Sequence, residues 1–98
     1  MRKVNVTING ESFVMCELTV GQYEDYLDTV STYNEAQGAP KIIINAQMEL
    51  LSASMEMPID TIKSKFSPGL VTSLVNKIII FSHQPYDDMP QSGKEPSP

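Results

Sequence analysis

The feature that most constrains this chain is an abrupt change of period at Leu18-Thr19-Val20-Gly21-Gln22-Tyr23. Upstream, Arg2 to Val14 reads as a strand pair, with apolar side chains alternating as half-buried strands require. Downstream, Val20, Tyr23, Leu27 and Val30 recur at helical spacing. Thr19 with Gln22 three residues later forms a capping box: the hydroxyl accepts from an early helix N–H and the amide reaches back. A small hairpin therefore feeds a helix at a defined point.

The hairpin is specified in detail. Val4, Val6 and Ile8 share one face, while Lys3, Asn5 and Thr7 point the other way. Asn9-Gly10 supplies the two positive-φ residues of a type I′ turn. Phe13 and Met15 then alternate with Ser12, Val14 and Cys16 on the return strand. A lone two-stranded hairpin is marginal in water. It must lie against helices or another chain, or be extended by another chain's strand.

The first helix is expected over Val20 to Gln37, with Gly38 just past its end and Pro40 following. Glu24, Asp25 and Asp28 occupy its first half, the favourable end of the dipole, and Tyr23, Tyr26 and Tyr33 share or border its apolar face. A second helix is expected from Lys41 to Met55. Ile42, Ile43 and Ile44 are locally β-like, but good helix formers continue the segment. Met57-Pro58 ends it, because the residue before proline is pushed out of the α region. Ile59, Ile62 and Phe66 mark a short third helix with Lys63 and Lys65 outward. Ser67-Pro68 restarts the chain as cap and first helical residue. Leu70, Leu74, Ile78 and Phe81, flanked by Val71 and Val75, form the last amphipathic helix. The expected class is α+β, mainly α: an N-terminal hairpin, about four short helices and a tail.

From His83 the composition changes to four prolines, Asp87, Asp88, Ser92, Gly93, Lys94 and Glu95, which cannot make a core. Residues 1–82 are expected to form one domain, and 83–98 a disordered tail dispensable for folding. With 98 residues and a formal charge of -5, the chain repels phosphate backbones, so nucleic acid and anionic membranes are poor partners. No window reaches the ~18 apolar residues of a membrane span. Arg2 and Lys3 precede no apolar core of a signal peptide, and a lone Cys16 cannot form an internal disulfide. A reducing, cytoplasmic home is expected.

Little of this chain carries chemistry. A metal site needs clustered ligands, and one histidine with one cysteine meets no such spacing. His83 stands near Asp87 and Asp88, but Pro85 and Pro90 argue against a rigid catalytic group. Glu17 beside Cys16 is the wrong sign for a reactive thiolate. The acids Glu24, Asp25 and Asp28 read as a solvated helix face. Asn5-Val6-Thr7 matches a glycosylation acceptor without the secretory context that would give it meaning, and the scattered glycines make no phosphate loop. No catalysis, cofactor or metal is expected. The apolar faces say more. Four amphipathic segments and a hairpin offer more stripe than so small a domain easily hides, and Met15, Met48, Met55 and Met57 are adaptable contacts. On the last helix, Leu74 and Ile78 align with Phe81 as an inward stripe. Val71, Val75 and Ile79 are then the candidate protein-binding surface.

Three stretches carry a resemblance. They are the basic start with a strand pair around Asn9-Gly10, Glu17-Leu18-Thr19-Val20-Gly21-Gln22-Tyr23 opening a helix, and Ile59 to Leu70 leading into Val71–Phe81. Together, over about residues 2–82, the chain resembles the tail assembly chaperones of long-tailed bacteriophages. The resemblance implies a non-catalytic protein that binds the largely helical tape-measure protein, and keeps it soluble until tail-tube subunits assemble around it. It implies the host cytoplasm and absence from the finished virion. Expected partners are the tape-measure protein and the tail-tube protein, with self-association. This chain would be the short form of a pair, or the part shared with a frameshifted long form. The Ile42–Ile44 stretch departs from the family pattern. Two other classes fit the residues: a structural subunit of tail completion or of the head–tail connector, and a small regulator or inhibitor with one tight partner.

Overall fold

The structure, a computed structural model, describes residues 1–36 and 40–86. Two strands, β1 (Lys3–Ile8) and β2 (Glu11–Cys16), form an antiparallel hairpin. Four helices follow: α1 (Val20–Ala36), α2 (Pro40–Met55), α3 (Ile59–Lys65) and α4 (Pro68–His83). The fold is mainly α with an N-terminal hairpin, as the sequence predicts.

Local chemistry explains each boundary. Asn9 at φ 52 and Gly10 at φ 83 make the left-handed pair that a two-residue turn needs, and Ile8 stands opposite Glu11 across it. The Thr19 cap is reciprocal: Gln22 N–H donates to Thr19 Oγ1 at 3.1 Å, and Thr19 N–H donates to Gln22 Oε1 at 2.9 Å. Ser67 Oγ accepts from Leu70 N–H at 3.2 Å, with Pro68 next to it in the first turn of α4. Helix α2 stops differently from expectation. Before Pro58 has any effect, Glu56 turns left-handed at φ 53 and Met57 N–H reaches back to Ser52 O at 3.2 Å. That is a Schellman closure with glutamate where glycine is usual. The Gln37-Gly38 end expected for the first helix, and the tail from Asp87 on, lie outside the described residues.

The core is one cluster. Met15, Leu51, Ile62, Val75 and Ile78 are fully enclosed, joined by Val6, Leu18, Met48, Leu50, Phe66, Val71 and Leu74. The inward faces of β1 and β2 lie as read: Val4, Val6, Ile8, Phe13 and Met15 meet the helices, while Val14 is 47% exposed. Phe13 stacks edge-on against Phe66 at 5.8 Å and so fastens the hairpin tip to the end of α3.

Two expectations about helix faces change. Val71 and Val75 are core residues at 2% and 0% exposure, so they are not an outer surface. With Leu74 and Ile78 they complete an i, i+3, i+4, i+7 stripe, the width a helix needs when it lies across a core. Ile79 is half-buried, and the exposed apolar residue of α4 is Ile80, at 64%. On α1, Val20 and Leu27 face water, and the helix leans on Tyr23 and Tyr26 instead. Its main neighbour is α2, so a narrow stripe suffices.

Two substitutions test these boundaries. Thr19→Ala is expected to lower stability by about 1 kcal/mol through the lost cap. Glu56→Gly is expected to raise it by roughly 0.5–1 kcal/mol, because glycine adopts the left-handed C′ position without steric cost. Urea midpoints measure both, and a Glu56→Gly midpoint below that of the wild type would refute the Schellman assignment.

Candidate functional site

Among the described residues, the most connected polar group is a pair that sequence reading did not single out. Arg2 and Glu17 stand opposite each other just outside the hairpin, with Glu17 N–H donating to Arg2 O at 3.0 Å. Arg2 N–H donates to Glu17 Oε2 at 3.0 Å and its Nε to Oε1 at 3.1 Å. The guanidinium then reaches α4. Its Nη2 donates to Gln84 O at 2.8 Å and Phe81 O at 3.3 Å, and Nη1 donates to Pro85 O at 3.3 Å. A cation at the carbonyl end of a helix is favoured by the dipole. The same guanidinium lies over the Tyr86 ring at 4.0 Å and the Phe81 ring at 5.1 Å. Tyr86 closes the circuit by donating its hydroxyl to Glu17.

Glu17 is only 8% exposed, and these donors hold its carboxyl down from an ordinary 4.5 to about 2. The Tyr86 hydroxyl is the largest cause and the Arg2 backbone N–H the next, with burial opposing both. In turn Glu17 pushes the Tyr86 phenol above its ordinary value. Three further bonds brace the same corner. Leu18 N–H donates to Ser82 Oγ at 2.9 Å, which donates onward to Ile78 O at 2.7 Å. Buried Ser54 donates to Cys16 O at 2.7 Å. The arrangement is a structural clasp: its carboxylate is saturated with donors and offers nothing to a substrate.

The clasp also moves the domain boundary. His83 was expected to begin the tail. It lies instead in the last turn of α4, its Nδ1 2.8 Å from Ile79 O and its ring edge-on to Tyr23 at 4.8 Å. Gln84, Pro85 and Tyr86 hold Arg2, so the folded unit runs through Tyr86.

Three depressions among the described residues bear on partner binding. The first is a small one of about 180 Å³ between α1 and α2, with Asp25 and Glu49 on its rim, both exposed and solvated. The second lies where α2 and α4 begin. Pro40, Ile43 and Ile44 form one wall and Pro68 and Thr72 the other, around about 630 Å³ of mostly apolar groove. Ile42, 38% exposed, extends the apolar surface of α2. The third, about 740 Å³, separates β1 from the outer row of α4, with Val4, Lys77, Ile80 and Phe81 on its walls. Of the predicted binding residues, Val71 and Val75 are closed into the core and Ile79 lines none of the three. Ile43 and Ile44, from the run that sequence reading left unexplained, border the second groove. Among the described residues no three His, Cys, Asp or Glu side chains converge as a metal cage would require, and no helix is long and apolar enough to cross a membrane. Neither a protein-family model, nor a curated protein, nor a solved structure matches this chain.

The clasp predicts a specific acid response. Because folding lowers the Glu17 pKa, the stability this group contributes is complete above about pH 4.5 and is lost as pH falls toward 2. Glu17→Gln is expected to flatten the denaturation profile in that window, and equal slopes for the two proteins would refute the linkage. A chain ending at Ser82 is expected to melt below one ending at Tyr86, since it lacks the carbonyls and ring that hold Arg2. Identical melting temperatures would mean that residues 84–86 contribute nothing.

Proposed function

We propose that this chain is a non-catalytic binding protein for an amphipathic helix and, on the resemblance over residues 2–82, a phage tail assembly chaperone that holds the tape-measure protein soluble. The observation that carries the reading is the groove between the starts of α2 and α4. Ile43 and Ile44 face Pro68 and Thr72 across a trough of about 630 Å³ in a chain of net charge -5. Apolar troughs between helices receive helices whose anchors recur at i, i+3 or i+4 and i+7. A long rod repeats that pattern many times, so many copies of a small acidic protein can coat it, each held weakly and released in turn. The acidic surface keeps the uncomplexed chaperone dispersed. On this reading the chain acts in the host cytoplasm, hands the rod to tail-tube protein and is absent from mature tails.

Co-expression tests it. The tape-measure protein is expected to stay soluble with this chain and to precipitate without it. Capture should change little with salt, because the contact is apolar. Thr72→Arg fills the groove from an exposed position. It is expected to abolish solubilisation while the melting temperature stays near that of the wild type. Recovery of the chain as a fixed component of purified tails would overturn the proposal in favour of a structural subunit.

A further inference from the structure

The two edges of the hairpin are not alike. Counting out from the two-residue turn, Ile8–Glu11, Val6–Phe13 and Val4–Met15 are the pairs that exchange backbone hydrogen bonds, in step with Glu17 N–H to Arg2 O. The backbone groups of Ser12, Val14 and Cys16 therefore line the outer edge of β2, where α2 lies alongside and Ser54 occupies the Cys16 carbonyl. The groups of Lys3, Asn5 and Thr7 line the outer edge of β1. Among the described residues that edge has no strand or helix along it comparable to α2 on β2. Next to it runs the groove whose floor is α4, with Ile80 64% exposed and Val4 and Phe81 half-buried.

We propose that this edge is a self-association surface, on which β1 of a second copy pairs antiparallel, centred on Asn5. The strand is nearly its own mirror about that residue: Lys3-Val4-Asn5-Val6-Thr7. Pairing Asn5 with its counterpart sets Val4 opposite Val6 of the second copy, both on the inward face. Lys3 falls opposite Thr7 rather than opposite another lysine, so no like charges oppose across the strands. A two-fold axis through Asn5 makes the contact isologous and closed. It also brings the two α4 rows together under a continuous four-stranded sheet, where each exposed Ile80 is covered. Electrostatics permits the approach. The chain carries 12 acids, yet neither β1 nor the walls of this groove contain one, so two copies approach here without setting carboxylates against each other. Lys77, on an exposed stem, turns its ammonium to water. The joined sheet answers the weakness of a two-stranded hairpin. The pairing is independent of whether the chain binds a tape-measure protein.

Sedimentation velocity on the full chain over a concentration series tests it. The wild type is expected to pass from monomer to dimer as concentration rises. Asn5→Pro removes an edge N–H that the hairpin itself does not use, and Ile80→Lys charges an exposed position. Each is expected to weaken dimerisation at least tenfold with far-UV circular dichroism unchanged. Should Asn5→Pro disturb the hairpin, Ile80→Lys alone decides. Register is read by oxidation in a Cys16→Ser background. Asn5→Cys should crosslink into dimers, whereas Lys3→Cys, which faces Thr7, should not. A wild type monomeric at every concentration, a dimer indifferent to Ile80→Lys, or equal crosslinking of the two cysteine variants each overturns the proposal. A dimer lost only in Thr72→Arg would likewise overturn it by placing the contact in the other groove.

Discussion

A carboxylate with 8% exposure keeps its charge only if donors replace the water it has lost. Glu17 is supplied by Arg2 and Tyr86, and Arg2 in turn satisfies the carbonyls at the end of α4. The rest of the structure depends on this exchange. It sets the angle at which the hairpin leaves its second strand, so that Leu18 enters the core and Thr19 stands where a helix must begin. It also secures the end of α4 beside the start of β1, which creates the trough between them. An isolated ion pair on the surface would contribute little. Lys65 with Glu11, at 46% and 58% side-chain exposure, is of that kind. The Arg2–Glu17 pair differs because nearly every donor and acceptor in it has a second partner.

Most of the fold was legible, because its boundaries are set by short-range chemistry. Asn9-Gly10, Thr19 with Gln22, and Ser67-Pro68 each act within three residues, and each behaves as its residue types require. Ile42–Ile44 join α2 despite their local β preference because the helix formers after them outweigh three branched residues. What was not legible depends on how wide a face the neighbours cover. Spacing showed that α4 is amphipathic but not that α2 lies across it broadly enough to close over Val71 and Val75. On α1 the same uncertainty ran the other way, and Val20 and Leu27 were left outside.

The clasp was missed for a different reason. Arg2 looked like part of a basic start and Glu17 like an unhelpful neighbour of Cys16. Yet the two-residue turn fixes the register, and counting outward from Asn9-Gly10 puts Arg2 directly opposite Glu17. Opposite charges facing across strands are a recognised stabilising pair. The signal was present in the register rather than in either residue. The contribution of Tyr86 could not be read this way, since it depends on where α4 ends in space. Proline and charge after Ser82 suggested a solvated tail, and the three residues before Asp87 instead make backbone and ring contacts.

The clasp also dictates an order of events during synthesis. Arg2 contacts residues 79 to 83 positions further along the chain, so the hairpin emerges first and its clasp stays open until α4 is complete. Closing so long a loop carries an entropic cost that only the finished helices can offset. Until α2 and α3 pack on it, Val4, Val6, Met15 and the open edge of β1 are all accessible at once on a hairpin too small to persist alone. Chains made close together on one message are therefore most able to meet through that strand before each has folded. The packing of those helices decides when the opportunity ends.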